Sequence, residues 1–104
     1  MARFDVYANP DANERKVLPY LLDVQNDHLH ALETRVVIPL RSASMVQLRA
    51  KGLHPELEVI GTAVVMETAA IGAIPTSELR RPVANLSRDQ LTIQDALDTL
   101  FGSH

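Results

Sequence analysis

The sequence predicts a mainly β fold closed by a C-terminal α-helix, with a small, twisted, partly barrel-like antiparallel sheet. Three observations carry that expectation. Short apolar runs with strand character recur from Phe4 onward, separated by proline, glycine and asparagine. From Ser87 to the end the periodicity is helical instead. The chain has 104 residues, 46% of them hydrophobic and 22% charged, the length and balance of one globular domain, here residues 1–104.

Phe4-Asp5-Val6-Tyr7 alternates as a strand does, and Ala8-Asn9-Pro10-Asp11-Ala12-Asn13 has the Asn-Pro and Asp content of a loop. Lys16 to Gln25 reads as a second strand, with Val17, Pro19 and Leu21 on one face and Leu18, Tyr20, Leu22 and Val24 on the other. Pro19 cannot donate to a ladder and points to an edge or a bulge. Asp27 to Thr34 is polar, with a helical turn expected over Ala31-Leu32-Glu33. Arg35-Val36-Val37-Ile38-Pro39-Leu40 is the strongest strand, rich in β-branched residues and closed by proline.

Ser42 to Lys51 reads as a short helix with Met45 and Leu48 inward, stopped by Gly52. Leu57 to Ile60 and Thr62 to Glu67 form two strands around Gly61, and Thr68 to Ile74 makes another before Pro75-Thr76-Ser77 breaks it. Glu78 to Leu86 is a loop with a short extended stretch.

The terminal helix has a start and a stop written into it. Ser87 is placed as N-cap, and Gln90, three residues on, completes a capping-box pattern. Asp89 in the first turn suits the helix dipole. Ile93, Ala96, Leu97, Leu100 and Phe101 follow the spacing of one buried face. Gly102 suits the left-handed stop position and leaves a short tail, Gly102-Ser103-His104, able to present a binding epitope.

Composition excludes several function classes. The net charge of −3 argues against a broad basic surface and strong nonspecific nucleic-acid binding, although Arg80-Arg81 and Arg41, Arg49 and Lys51 form local basic groups. No cysteine is present, so there is no disulfide framework and no thiolate metal site. No segment reaches membrane-spanning length and the N-terminus lacks a signal-type apolar stretch, so the expected compartment is the cytoplasm. The absence of tryptophan, and the few tyrosines and phenylalanines, leave single-stranded nucleic-acid stacking poorly supplied.

Candidate chemistry is sparse. His28 and His30, with Asp27 beside them, share a face on an extended chain, but no further ligand completes a zinc set, so no metal is expected. His54 precedes Pro55 in a turn and is expected to be exposed. Asp23, Asp27, Glu33 and Arg35 contain the residue types of an acid–base group, yet such residues flanking strands read more simply as surface pairs. No metalloprotease, nucleophile-elbow, Walker or dinucleotide motif occurs, and the four glycines supply no phosphate-cradling loop. The chain reads as a binding protein without a cofactor rather than an enzyme.

Several stretches, spread over nearly the whole chain, resemble the CcdB family, toxins of bacterial toxin–antitoxin modules that poison DNA gyrase. Phe4-Asp5-Val6-Tyr7 resembles the family's first strand, and Leu22-Asp23-Val24-Gln25-Asn26-Asp27 its VDVQSD segment. Arg35 to Leu40 is similar to the RxVIPL strand, the most specific match. Thr68 to Pro75 and Val83-Ala84-Asn85-Leu86-Ser87 resemble two further segments, and Ala96, Leu97 and Phe101 fall where the family's helix is apolar.

The resemblance implies an SH3-like barrel with a C-terminal helix, shared with MazF-type toxins, acting as a homodimer. It implies binding to the DNA gyrase A subunit, trapping of the cleaved DNA complex, and neutralisation by the disordered segment of a CcdA-like antitoxin. DNA would be met through gyrase or the antitoxin complex. The target-binding residues it implies are Asn26, His28, Leu29, Asp98, Phe101, Gly102, Ser103 and His104.

The sequence departs from the family at the tail. The best-studied members end in Trp-Gly-Ile, with the Trp ring stacked on a gyrase arginine. Gly102-Ser103-His104 stands there in this chain, and the family's helix asparagine is Asp98. Three readings follow: a gyrase-directed toxin with an altered tail, a CcdB-like protein that binds antitoxin but has lost or changed its target, and a MazF-like endoribonuclease. The missing histidine–carboxylate pair and the acidic balance weigh against the last.

Overall fold

A computed structural model describes residues 1–46, 50 and 52–102. Its described strands are β1 (Asp5–Ala8), β2 (Tyr20–Asp23), β3 (Thr34–Ser42), β4 (Glu56–Val59), β5 (Thr62–Met66), β6 (Gly72–Pro75) and β7 (Ala84–Asn85), followed by helix α1 (Gln90–Phe101). All pairings are antiparallel, in the order β4-β5-β3-β2-β1-β7, with β6 also paired to β3. The result is the barrel-like sheet plus terminal helix that the sequence predicts.

β3 organises the barrel. One edge pairs with β2, and the other is shared, with β6 along Thr34–Val37 and β5 along Leu40–Ser42. Pro39 does not close the strand, contrary to expectation. Its carbonyl accepts from Glu67 N at 3.0 Å on the shared edge, so its missing N–H falls where β6 has ended and β5 begins. Strand alternation then sorts the core into two faces. Val6, Leu22, Val24, Ile38, Leu40, Val64 and Met66 join Ile93, Ala96 and Leu97 of α1, while Tyr7, Leu21, Val37 and Leu79 pack on the opposite side. The hairpin at Gly61 is as expected, with Ile60 (φ 48°) and Gly61 (φ 78°) in the mirror-image turn that suits strand twist.

Several local expectations are corrected. β2 begins at Tyr20 rather than Lys16, and it lies inside the sheet between β1 and β3, so Pro19 precedes the strand instead of marking an edge. The turn expected at Ala31–Glu33 sits earlier, a 3-10 turn over Asp27–Leu29. The expected helix from Ser42 is a 3-10 turn, Ala43–Met45, with Met45 exposed. Leu48, Arg49 and Lys51 lie outside the described residues. Thr68–Ala70 is a 3-10 turn leading into β6.

His54 is half-buried rather than exposed. Asp23 and Arg35 are not surface residues: their exposures are 0% and 1%.

The helix corrections bear on function. Ser87–Asp89 forms a 3-10 turn and α1 starts at Gln90, with no side-chain cap at either start, so the capping box is not made. Asn85 Oδ1 accepts from Ser87 N at 2.8 Å instead. A 12-residue helix is marginal alone in water, so its order comes from the docked stripe of Ile93, Ala96 and Leu97. Each large apolar side chain so buried contributes about 1.5–3 kcal/mol. The stripe ends early: Leu100 is half-buried and Phe101 is 70% exposed. Gly102 takes the expected left-handed stop (φ 80°, ψ 29°), its N–H donating to Asp98 O.

Candidate target-binding surface

The surface is built outward from a buried ion pair. Asp23, at the end of β2, faces Arg35 of β3. Arg35 Nε donates to Asp23 Oδ2 at 2.7 Å and Nη2 to Asp23 Oδ1 at 2.9 Å, the bidentate geometry that makes such pairs strong and directional. The pair reaches the next residues directly. Gln25 N donates to Asp23 Oδ1 at 2.9 Å, and Arg35 Nη2 lies 3.5 Å from Gln25 O. Gln25 Oε1 accepts from Val36 N at 3.0 Å while its Nε2 donates to Leu29 O at 3.2 Å. A buried charge pair therefore fixes Gln25, and Gln25 fixes the turn that follows β2.

Tyr7 lies on the same face, its hydroxyl 3.5 Å from Asp5 Oδ2. Burial, followed by the charges of Asp5 and Asp23, pushes its pKa up to about 12, and Arg35 opposes the shift.

The turn presents Asn26, His28 and Leu29, all exposed. Asn26 Oδ1 accepts from His28 N at 2.9 Å, the local side-chain cap that holds the 3-10 geometry. Asp27 Oδ1 accepts from Arg3 N at 2.6 Å. Arg3 then ties the turn to the helix: its Nε donates to Val24 O at 3.2 Å and its Nη2 to Gln94 Oε1 at 3.1 Å. Its guanidinium carbon stands 4.8 Å from the centroid of the Phe4 ring. Phe4 holds φ 73° there, a conformation uncommon for a bulky residue, with its N donating to Asp23 O at 2.7 Å. Gln94 Nε2 in turn donates to Asp98 Oδ1 at 3.2 Å, one helical turn on.

Of the sequence-predicted site residues, Asn26, His28 and Leu29 share the turn, and Asp98, Phe101 and Gly102 share the end of α1. The two groups are joined by hydrogen bonds through Arg3 and Gln94. Phe101 stands outside the core, contrary to its expected place on the buried stripe. Ser103 and His104 lie outside the described residues. Arg3, Gln25 and Gln94 were missed. Gln94 had a usable signal, the four-residue spacing to Asp98, whereas Arg3 lies 91 positions from Gln94 and had none.

The acid–base group is not assembled. Asp23 and Arg35 are sealed against each other, while Asp27 and Glu33 are exposed. Among the described residues no group of three or more His, Cys, Asp or Glu is placed to hold a metal ion, and no helix is long and apolar enough to cross a membrane.

The arrangement is a capped turn and a helix end joined by hydrogen bonds, with Leu29 and Phe101 presented to solvent. The sequence model of the CcdB protein family matches residues 3–102, which takes in Arg3, the buried pair, the turn and the whole of α1. The chain therefore belongs to the CcdB family, the toxins of toxin–antitoxin modules.

Proposed function

We propose that this toxin acts as a homodimer that binds the DNA gyrase A subunit, traps the cleaved DNA complex, and is neutralised by a CcdA-like antitoxin. It acts by binding rather than by catalysis. One observation carries the reading: Phe101 is 70% exposed at the end of a helix whose preceding turn is anchored in the core. Buried aromatic anchors are the usual centres of interface energy, and an ordered aromatic ring left in water is suited to that use.

Gly102 offers no side chain where the best-studied relatives carry the stacking tryptophan. Phe101 supplies the ring, and Asn26, His28, Leu29, Asp98, Ser103 and His104 make up the rest of the contact surface.

The test is a supercoiling and DNA-cleavage assay with gyrase from the source organism. The expected result is a cleavage complex trapped by the protein and weakened in Phe101→Ala. Antitoxin binding without gyrase inhibition would favour a changed target, the reading to which the missing ring at Gly102 points. RNA cleaved in the absence of gyrase would overturn both.

A further inference from the structure

The basic pair singled out in the sequence, Arg80-Arg81, has no part in the docking surface. It lines a separate cleft of about 330 Å³, together with Ala8, Pro10, Arg15, Ser77 and Glu78. Three arginines thus line one concavity of a chain whose net charge is −3.

Arg80 and Arg81 are exposed and have no ion pair or side-chain hydrogen bond among the described residues. Arg15 is held in place: its Nε donates to Asn9 O at 2.5 Å, leaving its two terminal nitrogens for a ligand. A planar fork fixed in this way, beside two free ones, is suited to an oxyanion.

We propose that this cleft binds the phosphate group of a small phosphomonoester with an uncharged body. The proposal is independent of the gyrase reading. Charge selects the phosphate. Three arginines against Glu78 leave two net positive charges, matching a phosphomonoester, which carries about −1.5 to −2 at neutral pH, better than a carboxylate. Ser77 adds a hydroxyl at the same cleft.

The surroundings select the body. Pro10 and Glu78 also line an adjoining groove of about 560 Å³, where Leu18, Leu21, Val37 and Ile74 provide apolar surface and Asp11 and Glu14 add negative charge. A nucleic-acid strand would bring further phosphates towards those carboxylates, whereas an uncharged apolar body would lie against the leucines.

The probe is phenyl phosphate, titrated calorimetrically into the full chain at pH 7.5, with acetate as the monoanion control. One-to-one binding is expected. Arg80→Ala/Arg81→Ala should weaken it by about tenfold or more while leaving the unfolding midpoint unchanged, since neither side chain holds the fold. Glu78→Gln should tighten it, an effect that a structural role for these residues would not produce. A single-stranded oligonucleotide should bind more weakly than phenyl phosphate, with or without a 5′-phosphate. The proposal is overturned by no binding at millimolar phenyl phosphate, by equal binding of acetate, by affinity untouched in the double variant, or by tighter binding of the unphosphorylated oligonucleotide.

Discussion

Substituting Asp23→Ala tests the link from the buried pair to the docking surface. Asp23 and Arg35 are exposed by 0% and 1%, so removing the carboxylate leaves a guanidinium sealed in the protein without its counter-charge. Arg35 Nη1 is already buried without a hydrogen-bond partner among the described residues, so the group has little to fall back on. Breaking one side of such a pair costs about 3–5 kcal/mol, a large part of the roughly 5–15 kcal/mol that holds a domain together. At about 4 °C or more per kcal/mol for a chain of this size, the melting temperature should fall by at least about 12 °C.

Urea unfolding followed by far-UV circular dichroism measures the loss as a lower midpoint at unchanged slope. Asp23→Leu/Arg35→Met removes both charges and should recover most of the stability, because the pair is expensive to desolvate. It should not restore the turn. Gln25 N and Gln25 O both lose partners, so hydrogen exchange at His28 and Leu29 stays faster than in the unsubstituted protein. A cost below about 1 kcal/mol for Asp23→Ala would match an exposed pair and refute the buried-pair reasoning.

Phe101→Ala should change stability by less than about 0.5 kcal/mol, as exposed positions do, while costing about 2 kcal/mol or more in target affinity, read by titration against the gyrase A subunit. Arg3→Ala should cost about 1 kcal/mol of stability and raise exchange at Asn26 to Leu29; Arg3→Lys should not restore protection, since one ammonium lacks the fork that serves Val24 and Gln94 together. Ile60→Asn should stabilise by about 1 kcal/mol, measured by denaturation, because asparagine tolerates the left-handed φ of 48° better than a β-branched residue.

Tyr7 gives an alkaline signature. Its pKa rises from 10.0 unfolded to about 12 folded, so its contribution is complete below pH 10 and is lost as pH rises through 12. The loss, about 2–3 kcal/mol, should be absent from the pH profile of Tyr7→Phe.

What the sequence revealed and what it hid divide along physical lines. Strand alternation exposed the two faces of β2, the β-branched run marked β3, and a glycine between apolar runs located the β4–β5 turn, because these signals are local. The start of α1 was misread because Gln90 and Asn85 compete for the Ser87 amide, and the asparagine two residues upstream takes it. Phe101 was misread because a helical stripe shows which side faces the core but not where the core ends. Burial falls off along the last turn of α1, from Leu97 to half-buried Leu100 and exposed Phe101. Asp23 and Arg35 lie twelve positions apart, and only the β2–β3 register places them opposite each other's neighbours.

The same geometry accounts for where this chain departs from its family. The segments that resemble other members, around Asp23, Arg35 and Ala96-Leu97, are those that hold the turn and seat the helix. Helix α1 ends at a left-handed glycine beyond the buried stripe, with Phe101 exposed just before it. A change at exposed Phe101 removes nothing from the buried stripe of Ile93, Ala96 and Leu97 that seats the helix. Phe101, held by the helix, also spares the entropy of fixing a flexible side chain on binding, about 0.5–1.5 kcal/mol. Transplanting Trp-Gly-Ile onto positions 102–104 should strengthen gyrase binding while costing about 1–2 kcal/mol of stability, because tryptophan replaces glycine at a left-handed φ of 80°. A transplant that melts far lower than one strained helix cap explains would mean that the helix end takes part in folding, and the separation of fold from target would fail.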